Sequence, residues 1–165
     1  MPKEKKPAIV LAIDGTVSDN SNRLHYLKGE FPDWVRYHAE FLKDKPIQAA
    51  VTLIDALIWY RHMKAHDLEV VFNTDRPSYM RNLTEEWLQE HVGIHNCKIF
   101  VRNHTSAKMS PLETKKYNLE RIKREFNVLM AFDNDPEAAD MYAANGVTCL
   151  QPKLQENTNA AKPGA

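Results

Sequence analysis

The sequence is poor in the features that staple, anchor or strongly charge a protein. It holds two cysteines. Cys97 and Cys149 lie far apart without C-x-x-C spacing, in segments that read as strands, so buried free thiols are expected rather than a disulfide or a metal pair. The seven histidines form no H-E-x-x-H, and His91 and His95 straddle a glycine turn, which argues against a structural zinc site. No apolar run approaches the roughly 18 to 20 residues that cross a bilayer, and the start "MPKEKKP" lacks the apolar stretch of a secretory signal. A cytosolic protein is expected. A net charge is missing too, since 22 basic residues balance 22 acidic ones. No broad field therefore favours long nucleic acid or an anionic membrane as an obligatory partner, and any phosphate recognition must be local. The lack of a G-x-x-x-x-G-K-[ST] loop excludes a P-loop kinase site.

What the chain does have is an alternating order of elements. At 165 residues and 43% hydrophobic, it is long and apolar enough for one domain with a real core. "AIVLAI" (8–13) reads as a strand buried on both faces. Residues 47–65 carry Ile47, Val51, Ile54, Leu57 and Ile58 at helical spacing, and "LEVVFN" (68–73) returns to a strand. Pro77 is expected in the first turn of a helix whose apolar face holds Met80, Leu83, Trp87 and Leu88 and which Gly93 ends. "CKIFV" (97–101) is a third strand, residues 112–126 a helix with Leu119, Ile122 and Phe126 on one side, and "VLMAF" (128–132) a fourth strand. Asp135 and Pro136 are a cap and first turn for a helix running to Asn145-Gly146, and "VTCL" (147–150) closes the series. The pattern predicts an α/β fold with a doubly wound, five-stranded parallel sheet.

One connection is too long for an ordinary strand-to-helix loop. Residues of about 17–46 form an insert in which "PDWVRYHAEFL" has helical spacing of Trp34, His38 and Leu42. Placed after the first strand, it would sit over the carboxyl ends of the strands as a small cap. Its aromatic residues Tyr26, Phe31 and Trp34 are expected in its core rather than on a base-stacking surface. The expected organisation is a tail through residue 7, a domain over 8–150, and a polar, disordered tail over 151–165.

The chemistry gathers at the carboxyl ends of the strands. Asp14, Gly15 and Thr16 follow the first; Thr74, Asp75 and Arg76 follow the second; Lys115 and Lys116 lie near the start of the helix after the third; Asp133, Asn134 and Asp135 follow the fourth. Parallel neighbours would bring these carboxylates, a hydroxyl and an ammonium into one cleft, in outline a phosphate and metal site.

This order resembles the haloacid dehalogenase (HAD) superfamily over residues 8–150. "IVLAIDGT" matches its Asp-x-Asp-Gly-Thr motif except that Ala12 stands at the first acid. "VVFNTDRP" supplies the strand-end Thr, "ETKKYNLERI" the Lys, and "LMAFDNDP" the acidic pair, with Asn134 in the second acidic place. Thr-x-Arg, "RNLTEEWL" and "FDNDPEAADMYAANGVTCLQ" resemble more narrowly the phosphatase domains of polynucleotide kinase-phosphatases and their stand-alone relatives in bacteriophages. The resemblance implies a Mg²⁺-dependent phosphatase acting on nucleotide or polynucleotide terminal phosphates, 3′ or 5′, through an aspartyl-phosphate. Position by position it implies Ala12 as the lost nucleophile and Asp14 as acid/base. Thr74, Asp75, Arg76 and one of Lys115 and Lys116 would hold phosphate, and Asp14, Asp133 and Asn134 would hold the metal. Asp75 takes a place where relatives have a small residue. Alanine has neither nucleophile nor metal ligand, so the chain is expected to be catalytically impaired and weak in Mg²⁺ affinity. Two origins stay open: a parental aspartate was substituted, or the chain is a natural pseudophosphatase that binds or sequesters a nucleotide without turnover.

Overall fold

A computed structural model describes residues 4–64 and 67–153; the expectation of a disordered tail falls almost wholly on residues outside this range. The first strand, β1 (Lys6–Leu11), begins slightly before the expected boundary. Its side chains alternate between two apolar clusters, Ile9 and Leu11 entering one and Ala8 and Val10 the other, which is the two-residue period of a strand covered on both faces. Four further strands join it in parallel, namely β4 (Glu69–Pro77), β5 (Lys98–Arg102), β6 (Phe126–Phe132) and β7 (Cys149–Leu150), in the order β5-β4-β1-β6-β7.

Helices cover both faces. Ile54 of α2 (Gln48–Lys64) and Trp87, Leu88 and Val92 of α3 (Arg81–Val92) enter the first cluster. Leu119 and Ile122 of α4 (Pro111–Glu125), with Met141 and Tyr142 of α5 (Pro136–Ala144), enter the second. The sheet is the expected doubly wound one. From β1 the chain builds outward through β4 and β5, then returns to the other side of β1 for β6, so the loops diverge at the carboxyl end of β1 and open the crevice where such sheets bind ligands.

The insert is closed at its base by a two-stranded antiparallel pair, β2 (Ser18–Asp19) and β3 (Lys45–Pro46). Between them lies α1 (Trp34–Ala39), started by Asp33, whose carboxylate accepts from the Arg36 N–H at 3.0 Å. One sequence expectation fails here. Phe31 is 85% and Trp34 40% exposed, and the aromatics that pack inside are Tyr37 and Phe41. So short a helix turns one narrow side inward, which Tyr37 occupies, and the 3₁₀ turn that follows it (Glu40–Lys43) buries Phe41.

Three smaller corrections concern elements. Pro77 ends β4 instead of opening a helix, because a short 3₁₀ turn (Ser78–Met80) precedes α3. Within α3, Leu83 is 41% exposed and Thr84 is buried in its stead, since the Thr84 hydroxyl accepts a hydrogen bond from Arg76 at 3.1 Å. Cys97 precedes β5 and Cys149 lies in the two-residue β7; both are free thiols, but only partly buried.

Candidate active site

At the tip of β1 the chain makes a tight turn in which Val17 and Ser18 N–H groups both donate to the Ile13 carbonyl, at 2.8 and 2.9 Å. Gly15 has a φ of 76° and faces Asn134 so closely that a Cβ would come within 2.5 Å of its side-chain nitrogen. Glycine serves both the left-handed backbone and the close approach. The Thr16 hydroxyl accepts from the Asn134 N–H at 3.1 Å, and the Ala12 N–H donates to the Phe132 carbonyl at 2.9 Å. The tips of β1 and β6 are thus sewn together, with the Ala12 methyl buried at the seam.

Asp14 lies between two arginines. Arg76 donates to it from Nε at 2.9 Å and from Nη2 at 2.7 Å, and Arg23 from its Nη2. Burial alone would raise the carboxyl's pKa, but the charges and hydrogen bonds of Arg76 and Arg23 hold it well below the usual carboxylate range. Arg76 is placed by a break in the β4–β5 ladder between Asn73 and Pro77, and the Phe41 ring of the insert sits 3.7 Å from its guanidinium. Arg23 belongs to the insert and is gripped by Asp44 through two bonds of 2.8 and 2.6 Å. Ser18 donates to the same Asp44 carboxylate at 3.0 Å. Burial would lower the Arg23 pKa, but Asp44 and Asp14 raise it.

A second pair lies across the crevice. Lys115 Nζ meets both oxygens of Asp133 at 3.0 and 2.7 Å, and both residues are buried. Burial would lower the lysine's pKa, and Asp133 more than reverses this. Lys116 is exposed on α4, so of the two lysines Lys115 alone enters the crevice. Thr74 is buried; its hydroxyl accepts from the Arg76 N–H at 3.2 Å and its carbonyl from Asn118 at 3.2 Å. Asp75 is half-buried beside it. Asp135 caps α5, accepting from the Glu137 N–H at 3.0 Å, as the sequence indicates. Arg23 and Asp44 carry no motif, and 21 residues separate them, so no local signal marks them.

Residues 6–156 match the family profile of the polynucleotide kinase PNKP phosphatase domain. The chain belongs to this family. It is a HAD phosphatase domain by descent, the superfamily its strand-end motifs resemble. Solved structures agree in fold. A chain of the Pnkp1/Rnl/Hen1 RNA repair complex superposes with a TM-score of 0.64 at 18% identity, over 90% of this chain and 42% of that one. The class C acid phosphatase from Bacillus anthracis with tungstate bound gives 0.57 at 22% identity, over 81% and 54%. The present chain thus spans about half the length of these proteins. No curated protein is significantly similar to it.

HAD phosphatases generally use Mg²⁺, a hard cation that wants near-octahedral oxygen ligands. The donor set of this family member does not fit the ion as it stands. Ala12 offers a methyl, the Asp14 carboxylate is held by two guanidiniums, and Asp133 is paired with Lys115. Among the described residues, no three Asp, Glu, His or Cys side chains approach one another closely enough to share a metal. No helix of the described residues is long and apolar enough to cross a membrane.

Proposed function

We propose that this HAD phosphatase domain binds the phosphorylated end of a nucleotide or polynucleotide and lacks turnover because position 12 is alanine. In its lineage a carboxylate at that position would attack phosphorus and form an aspartyl-phosphate; a methyl cannot. The observation that carries this reading is the meeting of the β1, β4 and β6 tips around Ala12 in a chain that matches the family over residues 6–156. In this reading Thr74, Arg76 and Lys115 hold the phosphoryl group, and Asp14 would serve as acid/base only once a nucleophile stands at position 12, work worth roughly 10² to 10⁴-fold in rate. Arg76 must turn from Asp14 to the phosphate, which releases part of the hold on the carboxyl and lets it carry a proton. Lys115 takes the role ahead of Lys116 because its ammonium is buried in the crevice.

Restoring the carboxylate tests the reading. Ala12→Asp is expected to release inorganic phosphate from 3′- or 5′-phosphorylated oligonucleotides only when Mg²⁺ is supplied, whereas the parent chain releases none. The pairing of Asp14, Lys115 and Asp133 with partners inside the fold favours a second reading, a natural pseudophosphatase whose site is organised for holding. Tight binding of phosphorylated ends by an Ala12→Asp variant that stays inactive with Mg²⁺ supports that reading and overturns the first.

A further inference from the structure

Beside the crevice lies a cavity of about 640 Å³, walled by α1 and by the segment from residue 107 into the start of α4. Asp75 belongs to its wall, and Asp75 lies between Thr74 and Arg76, so the cavity begins where the proposed phosphate site ends. Its other walls are largely apolar and aromatic. Trp34 packs edge-on against Tyr37 with ring centres 5.8 Å apart and stacks on His38 at 5.9 Å, yet remains 40% exposed; Tyr79, on the same cavity, is 73% exposed. The floor is fixed in advance. The Arg102 guanidinium bonds the main-chain oxygens of Asp75, Ser106 and Met109 and so ties β4 to the 103–110 segment. A preformed cavity of this size with exposed rings suits a flat, largely apolar ligand. The lining also carries Arg102, Lys108 and Glu113, so with Asp75 its formal charges balance and give no preference for a second phosphate, and the Asp75 carboxylate accepts hydrogen bonds from an uncharged group.

We propose that this cavity takes the base of the nucleotide bearing the terminal phosphate, unstacked from its strand, with Trp34 as the stacking surface. This rests on the reading that the crevice binds phosphorylated nucleotide ends. The inactive parent chain suits direct binding measurements. Calorimetry is carried out with 3′- and 5′-phosphorylated deoxydinucleotides, each made with an intact base and with an abasic sugar at the phosphorylated residue. Trp34→Ala is expected to weaken binding of an intact dinucleotide roughly tenfold or more, the range of base–aromatic stacking, to change abasic binding less than about twofold, and to be largely rescued by Trp34→Phe. Should Trp34→Ala fail to fold, Tyr79→Ala applies the same comparison from the other exposed ring on the cavity. Equal losses for intact and abasic dinucleotides, or no loss for either, overturn the base pocket while leaving phosphate binding intact. Failure of the parent to bind any phosphorylated dinucleotide overturns both readings together.

Discussion

The acid/base role proposed for Asp14 opposes its place in the fold, where two arginines hold it ionised. Its carboxylate is the counter-charge for two buried guanidiniums, and removing one partner from such a cluster leaves charge without compensation, which typically costs about 3–5 kcal/mol. Asp14→Asn is therefore expected to lower stability by that order near neutral pH in urea melts. The pH dependence has a definite sign. The folded pKa lies below the ordinary value of 3.8, so the unfolded chain binds the proton more tightly, and Asp14's contribution is full above that value. It is lost as pH falls through the folded pKa. The gap between parent and variant should accordingly be widest above about pH 4 and shrink only at stronger acidity; a gap independent of pH down to strong acid would show that the arginines do not stabilise the ionised carboxylate.

At the level of elements, two local devices set the geometry of the crevice. Helix α4, which delivers Lys115, opens with a capping box in which the Ser110 hydroxyl accepts from the Glu113 N–H at 3.2 Å while the Glu113 carboxylate accepts from the Ser110 N–H at 2.7 Å. Ser110→Ala should cost about 1 kcal/mol, a fall in melting temperature of about 2–4 °C for a domain of this size, readable by calorimetry. The second device is the insert. Its base is only a two-residue pair of strands, so its attachment depends on Arg23, held by Asp44 and reaching Asp14, and on Phe41 beneath Arg76. The helix starts and stops were legible because Asp135-Pro136, Gly93 and the apolar periods act within one or two turns of chain. Leu83 was misread because Arg76, bound to Thr84, decides which side of that helix faces inward, and Pro77 because a 3₁₀ turn stands between it and the helix.

For the whole molecule, ligand binding should appear as added stability. A phosphorylated oligonucleotide at about 100 times its Kd adds about 2.7 kcal/mol to a fold that binds it only in the native state. Thermal denaturation of the parent chain should thus show a concentration-dependent rise in Tm with 3′- or 5′-phosphorylated oligonucleotide and little rise with the dephosphorylated strand. Equal shifts for both would mean that binding does not pass through the phosphate. The balanced net charge leaves no general attraction for the backbone to confuse this comparison.

Composition, period and capping residues, read in chain order, were enough to determine a doubly wound sheet and to put position 12, Asp14 and Asp133 just past the ends of its strands, whereas Thr74, expected after the second strand, lies inside β4 beside the break in its ladder. Those properties are local, set by backbone geometry over a few residues. Tertiary structure alone decided that Lys115 and not Lys116 enters the crevice, that Arg23 and Asp44 brace Asp14, and that Trp34 keeps an open face. Asp14 and Arg76 are 62 residues apart, and Thr16 and Asn134 are 118 apart. Ion pairs and exposed rings depend on which surfaces meet when helices, insert and sheet pack, and a charge far along the chain leaves no mark on the pattern around its partner.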